Sequence, residues 1–117
     1  RQAYRSALAH PERTADDPGM AALLELAADR LVAADLRAMA DWAASGMAFD
    51  VRPLAPRVGQ PTLVVAGDRD RVTPVEGALR LVSVLPGGRM LRLRDVGHFP
   101  HLEAPGEVLP AMTEHLA

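Results

Sequence analysis

Apolar and polar positions change rhythm along the chain, and each rhythm predicts a different element. Between residues 21 and 44 there is no Gly or Pro, and Ala and Leu dominate. These are the strongest helix formers, so the stretch predicts one long helix or two in succession. Met20, Leu24, Ala27 and Leu31 form one stripe, whereas Val32, Leu36, Met39 and Ala43 form a second stripe displaced by one position. That displacement predicts a bend between Asp29 and Asp35. Upstream, a short helix is expected over residues 2–9, then a polar loop around residues 12–17 punctuated by Pro11, Pro18 and Gly19.

The texture changes after Gly46, where Pro53, Pro56, Gly59 and Pro61 interrupt the chain. Thr62 to Ala66 is then a continuous apolar, β-branched run closed by Gly67, the pattern of a strand buried on both faces of a parallel sheet. Residues 74–85 carry a helical stripe of Val75, Leu79 and Val82 behind a proline, which is tolerated at a helix start because its missing N–H has no partner there. Residues 89–94 alternate charged and apolar and predict a second strand nearer the sheet edge. A loop follows over residues 95–104. A last helix is expected over residues 105–116, with Pro110 either kinking it or delaying its start. Strand, helix, strand, helix predicts an α/β class with parallel strands and right-handed crossovers.

Two loops carry the candidate chemistry, and each follows the carboxyl end of a predicted strand, where open α/β sheets hold their ligands. The first is Gly67-Asp68-Arg69-Asp70 and the second Val96-Gly97-His98-Phe99. Adjacent parallel strands bring such loops together. A carboxylate that meets an imidazole there fixes its tautomer and stabilises the imidazolium formed when histidine takes a proton.

The run PTLVVAGDRDRVTP, residues 61–74, together with DVGHFPHLEAP, residues 95–105, resembles the last two strands and following loops of the α/β-hydrolase family. In that family the catalytic acid usually closes a Gly-x-x-Asp turn with a proline a few residues on, a pattern matched by Asp70 and Pro74. The base usually lies in Gly-His followed by Glu-x-Pro, matched by Gly97-His98 with Glu103 and Pro105. The order of acid before histidine, and their separation, are also the family's. The resemblance covers residues 50–117 well, as the C-terminal part of the hydrolase core. Residues 1–49 resemble only the helical cap that many members insert before it.

The resemblance therefore implies a partial α/β-hydrolase fold, with Asp70 as catalytic acid and His98 as base. Other readings remain open for individual residues. Asp70 could be a turn aspartate, with Asp68 as its rival, and His101 in the same loop is a decoy for His98. His10 and His115 have no context. Glu103 reads as ordering the loop or capping the final helix. Asp68, Asp70, His98 and His101 also form a cluster of metal-ligand type, although no helical ligand pair supports it, and neither a metal nor a cofactor is expected. Trp42, on a helix with Met39 and Met47 near it, together with Val72 and Phe99, are candidates to line an apolar substrate pocket, against a plain packing role.

Composition narrows the picture further. Of 117 residues, 49% are hydrophobic and 24% charged, and the net charge is −2, which gives no electrostatic reason to expect nucleic acid. All 13 cations are arginine. There is no cysteine, so disulfides and a thiol nucleophile are excluded, and a cytoplasmic location is expected. No apolar run approaches the roughly 20 residues that cross a bilayer, and no membrane partner is expected.

The family's nucleophile sits on a strand-to-helix turn, commonly Gly-x-Ser-x-Gly. That motif does not occur here: the serines are Ser6, Ser45 and Ser83, and Ser45-Gly46 is expected to follow a helix. The chain also opens at Arg1 rather than Met. The expectation is thus a C-terminal portion, inert alone, of an enzyme that cleaves an ester or related small acyl substrate, with a missing N-terminal half or self-association completing the sheet. Carbon–carbon cleavage, lactone opening and haloperoxidase-like chemistry also occur in the family, and fold does not choose among them. A non-catalytic binding or assembly module, or a free-standing small α/β domain, are the alternatives from other classes.

Overall fold

A computed structural model describes residues 7–12, 16–33 and 35–117, with the backbone alone for residues 31, 32, 36 and 47. Most of the helix expected over residues 2–9 lies outside the described residues. Downstream lie α1 (Pro18–Val32) and α2 (Leu36–Ala48), separated where the two apolar stripes fall out of phase. Each is started by an aspartate. Asp17 Oδ1 accepts the N–H groups of Gly19 (2.9 Å) and Met20 (3.1 Å), and Asp35 Oδ1 those of Arg37 (2.8 Å) and Ala38 (3.4 Å), satisfying donors that the first turn leaves over. With Asp17 as cap, Pro18 and Gly19 belong to α1 rather than to the expected loop. At the other end α2 absorbs Ser45 and Gly46, expected beyond it, as part of its last turn.

A single 3₁₀ turn, Ala55–Arg57, leads into β1 (Thr62–Gly67). Helix α3 (Val75–Val82) then crosses over to β2 (Gly88–Leu93), which lies parallel to β1 with Thr62 opposite Gly88 and Gly67 opposite Leu93. The chain finishes with a short helical turn α4 (Pro100–Glu103), inside a segment expected to be pure loop, and with α5 (Pro105–Leu116). Pro110 does not delay α5; it sits inside the helix, where it removes the bond to the carbonyl one turn back.

Because side chains alternate along a strand, Val65, Leu91 and Leu93 share one face of the two-stranded sheet. There they pack with Val96, Ala104 and Val108 of α5, and Leu93 is wholly buried. The expectation that β1 is buried on both faces is not met: residues 62–65 are half-buried and only Ala66 and Gly67 are closed off. The reason is topological. Among the described residues β1 pairs with β2 alone, so its other edge carries no strand. No helix among the described residues is long and apolar enough to cross a membrane.

Candidate functional site

The parallel register ends β1 at Gly67 and β2 at Leu93 side by side, so the loops that leave them must cross. They cross at very close range. A Cβ on Gly67 would stand 2.1 Å from the carbonyl oxygen of Val96, and one on Gly97 would stand 2.5 Å from Ala7 O and Ala9 N. Only glycine permits such backbone approach, which explains the glycines of both motifs. Main-chain bonds stitch the crossing: Asp68 N–H donates to Leu93 O and Arg69 N–H to Val96 O, each at 2.9 Å.

The crossing sets Asp70 against His98. Asp70 Oδ2 lies 2.9 Å from His98 Nδ1 and also accepts the Thr73 hydroxyl at 2.7 Å. Its other oxygen accepts the N–H groups of Val72 (2.8 Å) and Thr73 (2.9 Å). The Asp70 side chain is only 7% exposed and that of His98 31%, so the carboxylate is enclosed while the imidazole faces outward. Burial, the largest single influence, pushes the Asp70 pKa up. Hydrogen bonds from His98, from the Thr73 hydroxyl and from the Thr73 and Val72 N–H groups together outweigh it and hold the carboxyl below its ordinary value. An ionised Asp70 accepting from Nδ1 leaves the proton-accepting lone pair of a neutral imidazole on Nε2, which meets no hydrogen-bond partner among the described residues.

The remaining polar groups hold the loops. Asp68, the rival acid, does not reach the histidine; its Oδ1 accepts the N–H of Asp95 at 2.7 Å. Glu103 brackets His98, with Oε2 accepting the N–H of Gly97 (3.1 Å) and of Ala9 (2.9 Å) and Oε1 that of Phe99 (3.1 Å). It orders the loop rather than capping α5. Three participants carried no signal in the sequence. Thr73 looks like an ordinary turn residue, the Ala7 carbonyl accepts the His98 N–H at 2.8 Å, and His10 pairs with Asp95 and, at 2.8 Å, with Glu12. Backbone contacts from a segment some 90 positions away leave no residue-type pattern to read.

An open groove runs from the pair along β1, lined by Val64 and Val72, by Leu81 of α3, and by Phe49 and Val51. Of the candidate substrate-contact residues, Val72 lines it. Phe99 instead packs edge-on against the His98 ring, centroids 5.2 Å apart, and Trp42 stands away on α2, 80% exposed. His101 lies against Phe99 rather than at the carboxylate, and His115 Nε2 lies 3.3 Å from the carbonyl of Pro61. Ser45 and Ser83 donate their hydroxyls to carbonyls of their own helices, Asp41 O and Arg80 O, each at 2.8 Å; Ser6 lies outside the described residues. No group of three or more His, Asp or Glu side chains among the described residues converges as for a metal ion. The arrangement can relay a proton at Nε2 for a group presented from the open side.

Comparison with known proteins identifies the fold family. The family model described as alpha/beta hydrolase fold matches residues 18–105. A pimeloyl-[acyl-carrier protein] methyl ester esterase of Xanthomonas axonopodis pv. citri (strain 306) is 31% identical over 68 residues, 58% of this chain and 27% of that protein. A thermophilic esterase from Thermogutta terrifontis superposes with a TM-score of 0.54 at 33% identity, over 57% of this chain and 25% of the esterase. The 2-hydroxy-6-oxo-6-phenylhexa-2,4-dienoate hydrolase from Rhodococcus sp. strain RHA1 shares the fold over 96% of this chain and 41% of its own, with a TM-score of 0.73 at 23% identity. The chain spans about a quarter of the length of the curated esterases it matches. Since the family match takes in both crossing loops and most of the chain, this protein belongs to the α/β-hydrolase fold family.

Proposed function

We propose that this chain supplies the acid and the base of a Ser-His-Asp hydrolase that cleaves a carboxylic ester or related small acyl compound. The 2.9 Å contact between Asp70 and His98 carries the reading. In the proposed cycle a serine hydroxyl, contributed from outside this chain, attacks the acyl carbon while Nε2 of His98 takes its proton. Asp70 keeps the imidazole in the required tautomer and stabilises its cationic form. The proton then passes to the departing alkoxide, and a water repeats the sequence to release the acid. The esterases among the relatives support an ester over other acyl linkages.

The open edge of β1 is where the remainder of such an enzyme would attach. A parallel strand added there would satisfy the free strand edge and cover Val64. Self-association through the same edge is the competing arrangement, and the mass of the complete gene product in solution separates the two.

The test is acylation of the complete gene product by a fluorophosphonate, alongside hydrolysis of p-nitrophenyl butyrate. His98→Ala should abolish both, His101→Ala should leave both unchanged, and Asp70→Asn should lower kcat by roughly 10²–10⁴-fold, the range general-base catalysis supplies. Full acylation of the His98→Ala protein would refute the assignment. A gene product that folds but resists acylation in its native form would instead identify a binding or assembly module on the hydrolase scaffold.

A further inference from the structure

Asp95 is the one non-glycine residue among the described residues with a left-handed backbone, φ 62°. It stands two positions past the end of β2 and three before His98. Asp is among the few L-residues that visit this region, and such a conformation persists only where the surroundings hold it. Here they hold it from both sides. The Asp95 N–H donates to Asp68 Oδ1 at 2.7 Å, and its carboxylate pairs with Arg69 Nε at 2.7 Å and with His10 Nε2. Asp68 and Arg69 belong to the loop that ends in Asp70, so the base loop is anchored to the acid loop one turn before each delivers its side chain.

The geometric effect is specific. After β2 the chain must reverse sharply to carry Val96 and Gly97 across the end of β1, where the Val96 carbonyl faces the backbone of Gly67 with no room to spare. A right-handed or extended residue at position 95 would send Val96 elsewhere, and His98 with it. We propose that Asp95 is a positioning residue for the proposed base: its left-handed turn, pinned by Asp68 and Arg69, aims His98 at Asp70. The proposal rests on the reading of His98 as base, and it reaches beyond that reading by assigning the aim of the imidazole to a residue that does not touch it.

The experiment compares Asp95→Ala, Asp95→Asn and Asp95→Gly in the complete gene product. Asn keeps the backbone preference and a side-chain oxygen facing Arg69 but not the charge, Gly keeps the backbone alone, and Ala keeps neither. Ester turnover should fall by about 10- to 100-fold in Ala with KM within twofold, the loss expected from a misplacement near 1 Å. Asn should restore most of it, and Gly should fall between. A second readout needs no activity: the downfield Nδ1–H proton of His98, lost in Asp70→Asn as control, should weaken or shift in Asp95→Ala and return in Asp95→Asn. An Asp95→Ala protein with native turnover, or one whose His98 resonance is unmoved, overturns the proposal. Absence of ester turnover in the native protein would count against the hydrolase reading alone, because the resonance still decides the role of Asp95.

Discussion

Replacing Glu103 should unfasten the His98 loop more than any surface carboxylate in this chain could. Its two oxygens accept three backbone N–H groups, those of Ala9, Gly97 and Phe99, which lie on both sides of His98. Hydrogen bonds to a charged acceptor contribute about 1.5–3 kcal/mol each, and a donor left unmatched while part-buried costs about 1–3 kcal/mol. The three bonds share one part-buried carboxylate and are not independent, so Glu103→Ala should destabilise by roughly 2–4 kcal/mol, well below three times the single-bond value. Glu103→Gln is the sharper probe. Its single carbonyl can replace Oε2 and keep Ala9 and Gly97, but its amide then faces the Phe99 N–H, donor against donor, so a loss of about 1–3 kcal/mol is expected. Thermal unfolding of the complete gene product measures the total, and peptide-level deuterium exchange over residues 95–104 localises it. The result that refutes the reasoning is a Glu103→Ala protein within about 1 kcal/mol of native whose exchange over that segment is unchanged.

Other expectations follow from the same network. Gly67→Ala would force a methyl group 2.1 Å from the Val96 carbonyl, and should cost at least 1–3 kcal/mol together with most ester turnover, whereas Gly46→Ala, with open space around it in helix α2, should stabilise by about 0.5–1 kcal/mol; paired melting curves check both. Thr73→Val removes a hydroxyl that donates to Asp70 and should raise the carboxyl's pKa, with Thr73→Ser restoring it, as followed by NMR titration of the Asp70 carboxyl carbon. The folded pKa of Asp70 lies below its ordinary value of 3.8, so its stabilising contribution is complete above 3.8 and is lost as the pH falls through the folded value. The unfolding free energy should therefore depend less on pH between pH 5 and pH 2 in Asp70→Asn than in the native protein.

What the sequence displays of this fold is what side chains encode periodically. The apolar run at Thr62 to Ala66, the stripe of α3 and the phase slip between α1 and α2 each correspond to an observed element. Boundaries were harder to read because caps decide them. Asp17 and Asp35 start their helices by accepting N–H groups, and that service overrides the punctuation suggested by Pro18 and Gly19. The Asp70–His98 approach was legible because two loop motifs end neighbouring parallel strands. Their support was not. The Ala7 carbonyl beneath His98 is main chain, Thr73 acts through one hydroxyl, and the left-handed turn at Asp95 depends on Asp68 and Arg69 twenty-odd residues earlier. Val72 does line the groove, but Trp42 projects from an exposed face of α2, a placement that helical periodicity alone does not fix.

These supports share a property that bears on how such a site can be built in pieces. Among the described residues, the groups that fix the Asp70–His98 geometry come from residues 7–10 and 67–103: the glycines at the crossing, Asp68 and Asp95 at the turn, Thr73 on the acid, Glu103 and Ala7 on the base. None comes from the open edge of β1. The described contacts thus orient the imidazole without using that edge, and on the proposed reading a nucleophile presented there would meet a base already aimed at Asp70. Preorganisation of this kind is what lets fixed dipoles and charges act without reorganising during a reaction. It also separates two kinds of damage. Substitutions along the β1 edge should impair assembly while sparing the His98 resonance, and substitutions at Asp95 or Glu103 should disturb the resonance while sparing assembly.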